Sequence, residues 1–173
     1  MASSWTHAAT ALATAATIMP QGTHRRAWTL TMLAAVVPDI DAIGRPFGLG
    51  DVAFLGGHRA ITHSFAFAAA AAVILLTALR PLPRQQLIAW LALAMAIATH
   101  GMLDAMTSYG EGVAFLAPFS DVRYRAPWLL LGDGIVRDTI AFLAFLALAR
   151  FVLTVRGFSV PRPLQWLVQG RRR

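Results

Sequence analysis

Apolar and polar positions along the chain alternate on a coarse scale. Long apolar runs are separated by segments in which Gly, Pro, Asp and Arg gather. From Ala60 to Leu79 twenty residues pass without a charged side chain, bracketed by Arg59 and Arg80. A second uncharged run extends from Gln85 to Leu103. An α-helix rises 1.5 Å per residue, so about 20 apolar residues cross the hydrocarbon core of a bilayer. Both runs are predicted to be membrane spans. A third span is predicted over Ile135 to Val155. Its Arg137 and Asp138 lie at the start, and Arg150 lies near the end, where a long side chain reaches the headgroups. Two shorter helices, Trp5 to Met19 and Ala27 to Val37, end where Pro20 and Pro38 cannot continue the hydrogen-bond ladder. Small residues from Ala8 to Ala16 allow close helix approach, so these two are expected to pack as a hairpin on the stronger spans.

The expected fold is all-α: a polytopic membrane helical bundle of about 4–5 helices. Residues 1–156 are expected to form a single membrane-embedded domain, and residues 157–173 a basic cytoplasmic tail. Two loops, Pro38 to Arg59 and Ala105 to Gly134, are long and rich in Gly, Pro and Asp. Loops of that length in a compact domain are usually functional, so they are expected to share one face and carry the chemistry.

Composition sharpens this reading. The chain is 57% hydrophobic and 13% charged, with a mean hydropathy of +0.60. Soluble domains carry about 25% charged residues, so much of this surface faces something other than water. The isoelectric point near 11.6 could point to nucleic acid. However, all fifteen basic residues are Arg, and no long soluble segment exists to read a polynucleotide. Basic charge beside apolar helices is a topology signal, so membrane lipids are the expected partner and nucleic acid is not. Cysteine is absent, which excludes thiolate metal sites and disulfides. The first 23 residues carry no charged side chain, unlike the basic start of a secretory signal, so the first helix is expected to stay in the fold.

Threading the five helices alternately across a bilayer sorts the charges. One side receives Arg25, Arg26, Arg80, Arg84, Arg150, Arg156, Arg162 and Arg171 to Arg173, with no acid. The other receives Arg45, Arg59, Arg123, Arg125, Arg137 and all eight acidic residues. The positive-inside rule assigns the Arg-only side to the cytoplasm, and the acidic side to the periplasm or exterior.

Four of the five histidines fall on the acidic side. His100 and Asp104 are four residues apart and share a helix face. His58 and His63 are five apart, so they converge only if His58 is in the loop and His63 opens the third helix. Asp39 and Asp41 follow Pro38 at the end of the second helix, and His7 lies at the matching end of the first. Taken singly, each of these has an ordinary reading as a cap, a solvated carboxylate or a structural imidazole. Together they place His7, Asp39, Asp41, His58, His63, His100 and Asp104 at one depth. Without cysteine, such a set suits Zn²⁺, Mn²⁺ or Fe²⁺ in one or two ions, and it suits Ca²⁺ less.

The ordered set Pro38-Asp39-Ile40-Asp41, His58-Arg59, Thr62-His63-Ser64, His100-Gly101-Met102-Leu103-Asp104, Tyr109-Gly110 and Pro118-Phe119-Ser120 resembles the YdjM-like family. These are bacterial inner-membrane proteins regarded as metal-dependent hydrolases. The resemblance covers roughly residues 5 to 140. More distantly, the order of His and Asp is similar to zinc-dependent phospholipases C, which carry further His ligands downstream. This chain has no His after His100, so Asp133 or Asp138 would have to stand in, and one or two ions fit better than three.

The resemblance implies a metal-activated water attacking a phosphoester at the membrane surface, such as a lipid headgroup. Asp41 and Arg59 are the expected catalytic residues, with Arg59 as a phosphate clamp because a guanidinium binds phosphate bidentately. Arg123 and Arg125 are second choices, and Thr62, Ser64 and Ser120 are expected to be supporting donors. Two other readings predict different geometry. A transporter would hold its His and Asp near the bilayer midplane. A metal-stabilised scaffold would close the coordination shell.

Overall fold

In the computed structural model the described residues are 3–21, 25–79, 86–108, 110–129 and 134–158. They form five α-helices: α1 (Ser4–Ile18), α2 (Arg25–Ala34), α3 (Phe65–Leu79), α4 (Gln86–Ala105) and α5 (Ile135–Val155). Short 3₁₀ turns, Val37–Ala42, Arg45–Phe47, Ala53–Leu55 and Ile61–His63, build the segment between α2 and α3. No strand is present among the described residues. Helix α4 is the hub, packed on α1, α2 and α3, while α1 also packs on α5. The interior is built largely from Ala: Ala11, Ala35 and Ala96 meet at one crossing, and Ala15 and Ala92 at another. Such small side chains let the helix backbones approach closely.

Two helices, α4 from Leu87 to Ala105 and α5, are long and apolar enough to cross a membrane. The pair Ala27–Ala34 and Val37–Phe47, bent by 45°, would add a third crossing if it acts as one broken span. The expected span from Ala60 to Leu79 needs correction, because its helix starts only at Phe65. Ser64 is extended (ψ 157°), and its hydroxyl accepts a hydrogen bond from the Phe67 amide at 3.1 Å. It therefore acts as an N-cap, and His63 stays in the preceding 3₁₀ turn. Helix α2 also ends earlier than expected, at Ala34. Pro38, in the first residues of the next turn, has no N–H to donate to the Ala34 carbonyl and its ring crowds that carbonyl, so the α-helical ladder stops there.

The two loops also contact each other. Val113 and Tyr124 exchange backbone hydrogen bonds at 2.9 Å, and the Ala114 amide donates to the Arg59 carbonyl. The Phe65 amide donates to the Phe115 carbonyl, so the second loop is docked on the start of α3. Asp133 and residues 159–173, most of the expected basic tail, lie outside the described residues.

Candidate metal centre

The site forms where four elements end at the same level. The first turn of α1 brings His7, the turn after α2 brings Asp39 and Asp41, and the segment before α3 brings His58, Arg59 and His63. The last turns of α4 supply His100 and Asp104. Four ligand atoms converge, one each from Asp39, His63, His100 and Asp104, all within 4.8 Å of one another. His100 Nε2 lies 3.3 Å from Asp39 Oδ1 and 3.8 Å from Asp104 Oδ2. His63 Nε2 lies 3.4 Å from Asp104 Oδ2 and 3.9 Å from Asp39 Oδ1. With metal–ligand bonds of 2.0–2.2 Å, the edges of a tetrahedron are about 3.3–3.6 Å. Two of these distances match such an edge and two are a few tenths of an ångström wider, so a small contraction would close the four atoms around one cation.

The protonation pattern agrees. His100 Nδ1 donates to the carbonyl of Ala35 at 2.6 Å, one of the carbonyls left over at the end of α2. That leaves Nε2 as a lone pair. The Nε2 atoms of His63 and His100 are buried and make no hydrogen bond of good geometry. Unpaired buried acceptors are costly, and a cation between these imidazoles and the two carboxylates would satisfy them. The residues present thus fit a divalent ion.

Asp41 is fully buried, and both its oxygens are engaged by donors. His58 Nδ1 is 2.8 Å away, Thr62 Oγ1 donates at 2.6 Å, the Arg59 amide at 3.2 Å, and His63 Nδ1 lies at 3.3 Å. These contacts fit a residue that orients two imidazoles, as carboxylates behind metal-bound histidines do. Asp41, His58 and His63 also form a second group that could hold an ion. The three hydrogen bonds to Asp41, from His58, Thr62 and the Arg59 amide, favour the orienting arrangement. Burial opposes charge on His63, but the adjoining Asp104 and Asp41 carboxylates outweigh it and raise its pKa above the ordinary value.

His7 stands beside the four-atom group. Its ring stacks on that of His100 at 3.7 Å between centroids, and its Nε2 is 3.7 Å from Asp104 Oδ1. Arg59 is buried in the left-handed backbone region (φ 65°). Its Nε faces Asp104 Oδ2 at 3.1 Å, and an Nη donates to Thr107 at 3.1 Å. Asp138 does not complete the site. It ties α5 to the start of α1, accepting from the amide of the N-cap Ser3 at 2.9 Å and from Thr6 Oγ1 at 2.7 Å.

The imidazole of His58 and the guanidinium of Arg59 open onto a polar cavity of about 470 Å³, also lined by Arg45, Asp51, Glu111 and Arg123. Arg123 donates to the carbonyls of His58 and Gly112, tying both loops together. Arg45 pairs with Asp51 and holds its carboxyl below the ordinary value. A separate apolar groove of about 400 Å³ between α1, α2 and α5 carries none of these histidines or carboxylates. Sequence reasoning missed two partners, Thr107 and the Ala35 carbonyl. Thr107 follows Asp104 by three residues and bonds its carbonyl at 2.8 Å, a local spacing that could have flagged it. Nothing in the sequence marks Ala35.

The profile of the YdjM inner membrane protein family matches residues 1–166. The chain belongs to that family. Inner membrane protein YbcI of Escherichia coli (strain K12) is 37% identical to it over 103 residues. The match covers 58% of this chain and 58% of the relative, so the chain spans little more than half the length of that curated protein. No solved structure matches. Membership makes this YdjM family chain an inner-membrane protein, consistent with its two long apolar helices.

Proposed function

We propose that this YdjM family member is a membrane-bound hydrolase acting on a phosphoester at the membrane surface, such as a lipid headgroup. A divalent cation, Zn²⁺ before Mn²⁺ or Fe²⁺, would be held by Asp39, His63, His100 and Asp104. The observation that carries the reading is the pair of buried imidazole Nε2 atoms without a hydrogen bond that face two carboxylates, the four ligand atoms lying within 4.8 Å of one another. A mixed nitrogen and oxygen donor set without thiolate suits these ions. When bound, such an ion lowers the pKa of a coordinated water toward about 7.

The chain's own residues supply the rest. Asp41 fixes the rings of His58 and His63. His58, held by Asp41 at its Nδ1, lies in the wall of the polar cavity beside the site. Arg59 offsets the charge of Asp104, and Arg123 stands at the cavity wall to orient phosphate oxygens. The resemblance to zinc-dependent phospholipases C supports the phosphoester class. The transporter reading is disfavoured, because the His and Asp groups sit at helix ends. By the Arg distribution, the site faces the periplasm or exterior and the C-terminus faces the cytoplasm.

Metal analysis of detergent-purified protein, beside hydrolysis rates on phosphodiesters and phosphomonoesters, tests the proposal. His100→Ala is expected to lose both metal and turnover. Arg123→Ala should keep the metal and lose about a hundredfold in rate, as when one electrostatic stabiliser is removed. If the wild type binds metal but turns over no ester faster than the stripped protein, a metal-stabilised scaffold remains and the enzyme reading falls.

A further inference from the structure

Among the described residues, the six most exposed large apolar side chains run from Trp5 at 74% to Phe119 at 88%. The other four are Phe47, Leu49, Phe54 and Ile135. None lies in the middle of a helix. Phe47, Leu49 and Phe54 are in the first site-bearing loop, and Phe119 is in the second. Trp5 lies in the first turn of α1, beside His7. Asp138 ties that turn to the start of α5, where Ile135 lies. All six therefore stand at the end of the bundle that holds the candidate metal centre. An end projecting into water would be expected to show polar loop tips there.

Two further observations point the same way. Helix α3 has 15 residues and is about 22 Å long, against about 30 Å of hydrocarbon. With its Leu79 end at the far headgroups, the Phe65 end stops short of the near interface by about 8 Å. The second loop is fastened to that end by the Phe65–Phe115 backbone bond and by stacking of the two rings at 5.0 Å. A cavity of about 320 Å³ joins the loops, with Gly56 and Ile61 on one side and Pro118 and Asp121 on the other.

The loop backbone is also satisfied internally. Leu49 donates to Gly44, Val52 to Asp41, and Phe119 and Ser120 to Leu116. Arg125 donates to the carbonyls of Ser108 and Gly110. Backbone that leaves water must find its partners within the protein.

We propose that the site-bearing loop layer is sunk in the bilayer. Phe47, Leu49, Phe54 and Phe119 enter the boundary between headgroups and acyl chains, and the polar cavity opens at headgroup level. The partner of this surface is the lipid leaflet itself. The inference rests on membership of an inner-membrane family and on geometry, and it stands apart from the hydrolase reading. For that reading it would mean that a ligand enters sideways from the leaflet.

The chain lacks Cys, so single-Cys variants carry one label each. Phe54→Cys, Phe119→Cys and Glu111→Cys would be labelled with an environment-sensitive fluorophore. The full-length protein would then be placed in vesicles of zwitterionic and anionic phospholipid. Quenching by a nitroxide high on the acyl chain would be compared with quenching by aqueous iodide. The labels at positions 54 and 119 are expected to be blue-shifted, quenched by the lipid nitroxide and spared by iodide. The label at Glu111, on the cavity wall, should respond to iodide. Iodide quenching at 54 and 119 would overturn the inference. Quenching by neither agent would also overturn it, since the face would then be covered by protein. Metal content measured on the same samples separates this outcome from failure of the hydrolase reading. Lipid quenching without any ester turnover would leave the buried loop layer standing.

Discussion

At the scale of single residues, the site is a set of buried polar groups, each held by a neighbour. Asp41 shows this best, because it accepts from three donors beyond His63 and touches none of the four converging ligand atoms except through the His63 ring. Asp41→Asn should therefore weaken metal binding by about 10–100-fold without abolishing it, the usual cost of losing an outer orienting partner. Competition with a chelator of known affinity measures this, and complete loss of metal would make Asp41 a ligand instead. Glycines set the cavity wall. A Cβ on Gly110 (φ +83°) would come within 2.9 Å of Arg59 Nη1, whereas one on Gly112 (φ +98°) would come within 2.7 Å of the Tyr124 carbonyl oxygen. A side chain in the left-handed region costs about 1–2 kcal/mol at either position. The arginine tip can move but the paired backbone cannot, so Gly112→Ala should destabilise more than Gly110→Ala. Thermal unfolding of both variants in detergent gives the order, and the reverse order would contradict the loop pairing.

At the scale of elements, helix ends decide where the chemistry sits. His7 lies in the first turn of α1, and that turn is fixed from another helix. Asp138 in α5 accepts from the Ser3 amide and the Thr6 hydroxyl. Asp138→Ala, which removes two hydrogen bonds to a carboxylate, should cost about 1–3 kcal/mol, while Asp138→Asn, which keeps an acceptor oxygen, should cost less. Equal and negligible shifts in melting temperature for the two variants would show that the α1–α5 tie contributes nothing. The same logic explains the short α3. Ser64 caps it, and the four residues that would have extended the apolar run to Ala60 instead turn His63 toward Asp41 and Asp104.

At the scale of the whole molecule, the question is orientation. The Arg-only side predicts a cytoplasmic C-terminus and an outward site. In intact cells, a Cys placed at Glu111 should react with a membrane-impermeant reagent, while one at Gln169 should react only after lysis. The opposite pattern would turn the protein over and place the site in the cytoplasm. This test is independent of metal and of activity.

The all-helical class, the α4 span and the gathering of His and Asp at one end of the bundle were legible in the sequence, whereas α5 was the weaker of the expected spans and α3 came out shorter than its uncharged run. The legible features rest on local rules: the length of an uncharged run, four-residue spacing on a helix, or a proline that stops one. The His100–Asp104 pair needed only helix periodicity. What followed from long-range contacts was not legible. The pairing of Asp41 with His58 spans 17 residues and that of His100 Nδ1 with the Ala35 carbonyl spans 65, and the latter uses a backbone atom that any residue type would offer. Asp138 reads in the sequence as a stand-in for a downstream ligand, and only with α5 lying along α1 does it become a partner of Ser3 and Thr6 instead. The true start of α3 depends on which backbone amide reaches Ser64. Composition and periodicity determine that such groups are present and at what depth. Only the packing of α1, α2 and α4 on one another decides which carboxylates face the imidazoles as candidate ligands and which hold them in place.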